Sequence, residues 1–390
     1  MSNKRLLIVT NRYPTGPDDT ASPFVHDFRE SLRRLGVQVE VVTPYYRSSG
    51  GDFSYLDESV FRFAWSDGNR VISRLALTNP SSYPKIWRYF QNGYRCAAQL
   101  VRANGYDGVI ALWAMPSGYI ARRLWRQYGI AYAVWTLGSD INVWAQRPFV
   151  GRMIRTILND ADRLFADGYE LSEKVESLCE KKCTFLPSMH RIDAVKTDDT
   201  SQKENFICVG RLERSKGIFD LLEAFRSFYR RHGNWRLYYV GTGCAEAELK
   251  NAVASYQLQS AVTVCGYCDR QKTNGMLARA VAAIIPSYSD SLPLTFGEAM
   301  QASLPVICSE VGDMPRFIDK YRVGYHFPAG DIDRLAELMD DMVLESDRFR
   351  RNCPGVLAEL DLSNSAQTIL DWLQSTRVSG EKTEKVDAYN

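Results

Sequence analysis

Residues 284–318 read IIPSYSDSLPLTFGEAMQASLPVICSEVGDMPRFI, and this stretch decides the fold. The apolar run Val281-Ala-Ala-Ile-Ile285 predicts a buried strand ending at Pro286. The polar run Ser287 to Ser291 predicts a loop, and Leu292-Pro293 leads into a helical run over Thr295 to Ala302. Strand, short loop and helix are the repeating step of a doubly wound α/β sheet. Asp290 and Glu298 flank the helix start, where unpaired N–H groups and the helix dipole favour a diphosphate. Taken alone, Asp290 reads equally well as a turn cap and Glu298 as a solvated helix residue.

A second stretch changes that balance. Residues 205–225, NFICVGRLERSKGIFDLLEAF, again read strand, loop, helix, with Arg211 and Lys216 flanking the loop. Arginine offers a fork of donors to phosphate oxygens, lysine a mobile point charge, and Gly210 and Gly217 let backbone come close. An exposed basic loop is common by itself. Beside a carboxylate loop it reads as counter-charge for a departing diphosphate.

On these motifs the chain resembles the retaining glycosyltransferases of family 4. The carriers are G-R-L-x3-K-G at Gly210 to Gly217, V-G-x-G at Val240 to Gly243, D-x7-E at Asp290 and Glu298, and Ser303-Leu304-Pro305-Val306 followed by S-E-V-G-D-M-P. In the first half LLIVTNRYP, LRRLGVQVEVVTP, DGVIALWAMPSGYIA and WTLGSDINVW extend the resemblance over nearly the whole chain. It implies the GT-B architecture: two Rossmann-like α/β domains facing a central cleft, with a C-terminal helix crossing back to the first. The expected acceptor domain covers 1–190 plus a crossover helix at 363–376. The nucleotide-sugar domain covers 204–362, and 377–390 forms a polar, disordered tail.

Apolar β-branched runs predict strands at 5–10, 37–43, 107–112 and 130–136, then at 205–210, 235–240, 261–265, 282–286, 305–308 and 323–327. Helices are predicted over Phe24 to Leu35, Ile86 to Asn104, Tyr119 to Tyr128 and Phe149 to Asp160, with a polar linker near 196–204. The 390 residues suit two domains, and a 45% hydrophobic content supplies two cores. No apolar run is long enough to span a membrane, and the N-terminus reads as a first strand and not a signal peptide, so the expected compartment is the cytoplasm. Nine cysteines fit a reducing environment. Cys265-Gly-Tyr-Cys268 has redox or zinc spacing without a matching second pair, and reads as two reduced thiols.

The first 186 residues carry 24 Lys+Arg against 18 Asp+Glu, and the remainder 24 against 28, so the first half is the basic one. Two basic stretches interleave with aromatics, Tyr119 to Arg126 and Arg147 to Arg155. Such helices lie on anionic lipid, although ordinary solvated faces share the pattern. The resemblance, whose members often use lipid-linked acceptors, favours peripheral membrane contact at the inner face.

The resemblance also implies roles. Arg211 and Lys216, with the helix start at Leu294 and Thr295, hold the diphosphate, and Asp290 reaches sugar hydroxyls near the reacting carbon. Glu298 takes the ribose hydroxyls, Gly241, Gly266 and Tyr267 line the nucleoside side, and Gly210 lets the backbone approach the donor. The substrate is a nucleotide-diphosphate sugar, UDP or GDP, with no other cofactor, no metal and no nucleic acid partner. The acceptor is a glycan or lipid-linked glycan, with Asp140, Gly138, Gly16 and Arg12, and Tyr13 beside it, as acceptor or cleft candidates. Attack comes from the front face, the leaving phosphate oxygen taking the acceptor proton.

Three departures stand out. Leu137 stands where many members carry a histidine that contacts the donor sugar, so either the donor lacks the group that histidine would contact, as a 6-deoxy sugar does, or another residue substitutes. Asp290 is one methylene shorter than the usual glutamate, about 1.5 Å less reach. The loop Asn11 to Phe24 has Gly16 in place of paired glycines. Alternatives are a non-catalytic nucleotide-sugar-binding subunit and a nucleotide-sugar epimerase of the same architecture, for which His26, His190, His232 and His326 offer no convincing set. A dehydrogenase is disfavoured because no G-x-G-x-x-G follows the first strand.

Overall fold

A computed structural model describes residues 4–16, 22–46, 57–65, 72, 79–189 and 205–376. The expected linker at 196–204, the expected tail from Arg377, His190 and residues 17–21 of the first loop lie outside these. The chain divides into two compact units, 1–188 with 362–390, and 189–361.

In the first unit, unbroken apolar runs become strands because a parallel sheet is covered on both faces. The strands are β1 (Arg5–Val9), β2 (Gln38–Pro44), β3 (Val60–Phe63), β4 (Gly108–Leu112), β5 (Tyr132–Thr136), β6 (Arg163–Ala166) and β7 (Cys183–Phe185). All pair in parallel, in the order β3-β2-β1-β4-β5-β6-β7. The sequence gives no clear sign of β3, β6 or β7, where Arg62, Arg163 and Thr184 interrupt the apolar run. The helices are α1 (Pro23–Arg34), α2 (Ser82–Ala103), α3 (Ser117–Tyr128), α4 (Pro148–Asp160) and α5 (Tyr169–Cys179).

The second unit repeats the pattern with β8 (Asn205–Val209), β9 (Arg236–Val240), β10 (Val262–Val264), β11 (Ala282–Ile285), β12 (Val306–Ser309) and β13 (Gly324–Phe327). Their parallel order is β10-β9-β8-β11-β12-β13. Around them lie α6 (Ile218–His232), α7 (Glu246–Ser255), α8 (Arg270–Arg279), α9 (Leu294–Gln301), α10 (Met314–Tyr321), α11 (Ile332–Arg350) and α12 (Cys353–Leu360). A last helix, α13 (Leu362–Ser375), belongs to the first unit.

The α13 helix lies there because Leu362, Ala366, Ile369, Trp372 and Leu373 make one apolar stripe, buried with Phe24, Val25, Phe28 and Leu32 of α1. Gly108 opens β4 beneath it, where a Cβ would lie 2.8 Å from the Trp372 ring, and the Trp372 indole N–H donates to Asp162 at 2.6 Å.

In each sheet the chain runs outward from one strand and returns on its other side. The switch points therefore fall between β1 and β4, and between β8 and β11. Ligands of open α/β sheets sit outside the strands' carboxyl ends at such points. The loops there are 10–16 and 113–117 in the first unit, and 210–217 and 286–293 in the second.

Candidate active site

In the second unit, the loop after β8 meets the loop after β11. The Tyr288 amide donates to the Ser215 carbonyl at 2.9 Å, and the Thr295 hydroxyl donates to the Val209 carbonyl at 3.1 Å. Two glycines make this approach possible. Gly217 caps α6 at φ +62°, where a Cβ would sit 2.0 Å from the Pro286 carbonyl oxygen. Gly241 follows β9 at φ +131°, where a Cβ would sit 1.9 Å from the Gly210 carbonyl oxygen. No L side chain fits either place. Gly266 extends the same edge, its carbonyl accepting from the Gly241 amide at 2.9 Å, and Tyr267 beside it is exposed.

The Lys216 ammonium lies 2.5 Å from Asp290 Oδ1, with side chains 20% and 16% exposed. Asp290 Oδ2 is buried and accepts no hydrogen bond among the described residues. That oxygen is an acceptor shielded from water and aimed beside a cation, which costs free energy unless a donor arrives. At the start of α9, Pro293 occupies the cap position and no side chain caps the helix, so the first-turn amides at Leu294 and Thr295 have no capping acceptor.

Glu298, in the first turns of α9, is half-buried. Its surroundings push its carboxyl up to about 7, desolvation raising it and the Arg270 charge holding it back. Arg270 opens α8, and the sequence offered no signal for it because it belongs to no motif. Arg211 stands apart: its guanidinium is largely exposed and bonds Glu213 at 3.0 Å. The structure thus joins Lys216, not Arg211, to the carboxylate loop.

In the first unit the Asp140 expectation needs correction as an acceptor contact. Asp140 is 1% exposed. Its carboxylate accepts from the Ala114 amide at 2.7 Å and the Leu137 amide at 3.2 Å, tying the end of β4 to the end of β5. Burial raises its pKa to about 6 against those hydrogen bonds. Its role is to shape the loop from within. Gly138, at φ +96°, accepts from the Ile141 and Asn142 amides, and Leu137 packs on the apolar core. Trp113, at the end of β4, holds φ +69°, a conformation rare for a large side chain and found at strained functional loops; no sequence pattern announces it.

Tyr13 also turns inward. It is buried, with its hydroxyl against His26 Nδ1 at 3.0 Å and accepting from Arg29 at 3.3 Å, so it does not face an acceptor. Arg12 stacks over the Tyr46 ring at 4.8 Å, and the backbone at Gly16 has open space around it. The two basic stretches separate as well: Arg122 pairs with Asp160 at 2.6 Å and Arg123 stacks on Tyr94 at 3.8 Å, whereas Arg147, Arg152 and Arg155 are exposed. Among the described residues no cluster of His, Cys, Asp or Glu is arranged to hold a metal ion, and no helix is long and apolar enough to cross a membrane.

Two parallel-sheet Rossmann-like units, one carrying a lysine–carboxylate pair at an uncapped helix start, define the GT-B class. The solved structures agree in fold. Sucrose-phosphate synthase from Thermosynechococcus elongatus superposes with a TM-score of 0.74 over 95% of this chain and 98% of that one, at 18% identity. Anabaena HepE in complex with UDP gives 0.71 over 95% and 100%, at 15% identity. The description "Glycosyl transferase 4-like domain" matches residues 20–176, and "Glycosyl transferases group 1" matches residues 191–353. Together they span most of the sequence, and the chain belongs to the GT-B glycosyltransferases of the family 4 type. A curated relative, the putative teichuronic acid biosynthesis glycosyltransferase TuaC of Bacillus subtilis, is 26% identical over 338 residues, 82% of this chain and 84% of that protein.

Proposed function

We propose that this glycosyltransferase moves a sugar, with retention, from a nucleoside-diphosphate donor to a glycan or lipid-linked acceptor during assembly of a bacterial surface polysaccharide. The observation that carries the reading is the Lys216–Asp290 pair at the start of α9, with the buried second oxygen of Asp290 given no donor by the described residues. Cleaving the anomeric bond builds positive charge on the sugar and negative charge on the diphosphate. Lys216 and the α9 amides take the negative end, so the counter-charge comes from the chain's own groups and the proposal includes no metal ion or resident cofactor. Asp290 Oδ2 accepts from a sugar hydroxyl, and Glu298 accepts from the ribose. TuaC, by its name, belongs to teichuronic acid biosynthesis, which supports a polysaccharide pathway, and HepE was solved with UDP, which supports a uridine donor.

The acceptor reading extends to a membrane surface at the start of α4. Phe149 is 89% exposed, Val143 and Met153 are exposed beside it, and Arg147, Arg152 and Arg155 surround them. Apolar side chains ringed by arginines suit an anionic bilayer.

Thermal-shift titration with UDP, GDP and their sugar conjugates tests the donor site. A ligand at 100 times its dissociation constant adds about 2.7 kcal/mol. Stabilisation by one nucleotide, lost in Lys216→Ala, is the expected result. Stabilisation by none overturns the donor site, and binding without turnover against every acceptor tried returns the non-catalytic subunit.

A further inference from the structure

Cys265 and Cys268 bracket the turn after β10, and neither has a part in the chemistry above. All nine cysteines are free, but these two differ from the rest in arrangement. They have C-x-x-C spacing across one turn, with Cys265 partly exposed and Cys268 buried. The backbone between them is already folded back, with Gly266 at φ +68°. Cys179 and Cys183 are also neighbours, yet both are buried and closed to a soluble reagent. We propose that Cys265 and Cys268 form a reversible dithiol–disulfide site that sets the shape of the Gly266–Tyr267 turn.

The oxidant is a small soluble disulfide of the glutathione type. The Cys265 thiolate attacks one of its sulfurs, breaking that disulfide and releasing one small thiol. Cys268, its proton passing to solvent, then attacks Cys265 Sγ and releases the second. Two protein thiols are oxidised to one disulfide and one small disulfide is reduced to two thiols, so atoms and electrons balance. Burial pushes the Cys265 thiol up, which slows exchange at neutral pH and speeds it in mild alkali.

Closure ties Cys265 to Cys268 and fixes the turn between them. The turn cannot absorb this freely. The Cys265 amide is held by the Tyr239 carbonyl at 2.8 Å, and the Gly266 carbonyl by the Gly241 amide at 2.9 Å. A change in the shape of the turn therefore reaches Gly241 through that hydrogen bond. The consequence for donor binding rests on the reading of this edge as the nucleoside side of the site.

The test uses the full-length chain equilibrated with oxidised glutathione in mild alkali, alkylated, digested and mapped by mass spectrometry, beside Cys265→Ser, which leaves buried Cys268 in place. The expected result is a Cys265–Cys268 linked peptide, absent in the variant and lost with dithiothreitol. Alkylation of both cysteines, or linkage of Cys265 to Cys244, overturns the site. Calorimetry with UDP and GDP then compares the two forms. The oxidised wild type is expected to bind roughly fivefold more weakly than the reduced, because small displacements of a positioning loop are costly. Cys265→Ser is expected to be indifferent to oxidant. Equal affinity of the two wild-type forms overturns the control of the turn. Failure of the reduced wild type to bind any nucleotide overturns the donor reading instead and leaves the peptide map standing.

Discussion

Asp290→Asn keeps the volume of the side chain but removes the charge that Lys216 faces and turns one acceptor into a donor. Under the proposed mechanism kcat/KM falls by roughly 10²- to 10³-fold, the usual scale for one lost transition-state contact, with the melting temperature little changed; steady-state kinetics beside a melting curve checks both. Glu298 carries a pH signature. Its folded pKa, about 7, lies above its unfolded value. Its contribution to stability is therefore fully present below the unfolded pKa, near 4.5, and is lost as pH rises through 7. Glu298→Gln should remove that loss, on the order of 2 kcal/mol at pH 8, read from urea midpoints across pH. Ribose hydroxyls donate to the ionised form, so nucleotide binding by the wild type should tighten as pH rises from 6 to 8. Lys216, Asp290 and Glu298 were legible because fixed spacings along a strand, loop and helix place them at one sheet edge. Arg211's turn toward Glu213 and the inward turns of Asp140 and Tyr13 were not, because a side chain's direction depends on neighbours distant in sequence.

At the scale of elements, the loops are held by buried groups that a motif does not reveal. Asp140→Ala leaves the Ala114 and Leu137 amides without their acceptor. An unsatisfied buried group costs about 1–3 kcal/mol, so a loss of roughly 2–4 kcal/mol is expected in urea unfolding. The α13 helix is anchored by Trp372 between the stripe facing α1 and Asp162. Trp372→Ala should cost about 3–5 kcal/mol, measured in the same way. Strand and helix positions were readable to within a few residues wherever an apolar run was long. The short β3, β6 and β7 were missed because Arg62, Arg163 and Thr184 leave them no unbroken apolar run, and pairing with neighbouring strands selects them.

For the whole molecule, the membrane proposal predicts sedimentation with anionic vesicles at low salt. Phe149→Ser and Arg152→Glu should each weaken it, and about 0.5 M salt should reduce it strongly, since exposed charges are screened beyond a few ångströms at that strength. Failure of the wild type to sediment with those vesicles removes the proposal. The sequence by itself determined the architecture: alternating strand and helix periods, which follow from local spacing, dictate two doubly wound α/β units, and the loop motifs carry the family resemblance. The tertiary structure alone decided which of those groups meet. It brought Lys216 to Asp290 across 74 positions of sequence, left one carboxylate oxygen without a donor, and drew Asp140 into the core. Such pairings depend on the crossing of backbones at glycines and on which side chains the sheet edge has room to expose, and neither is a property of any local stretch.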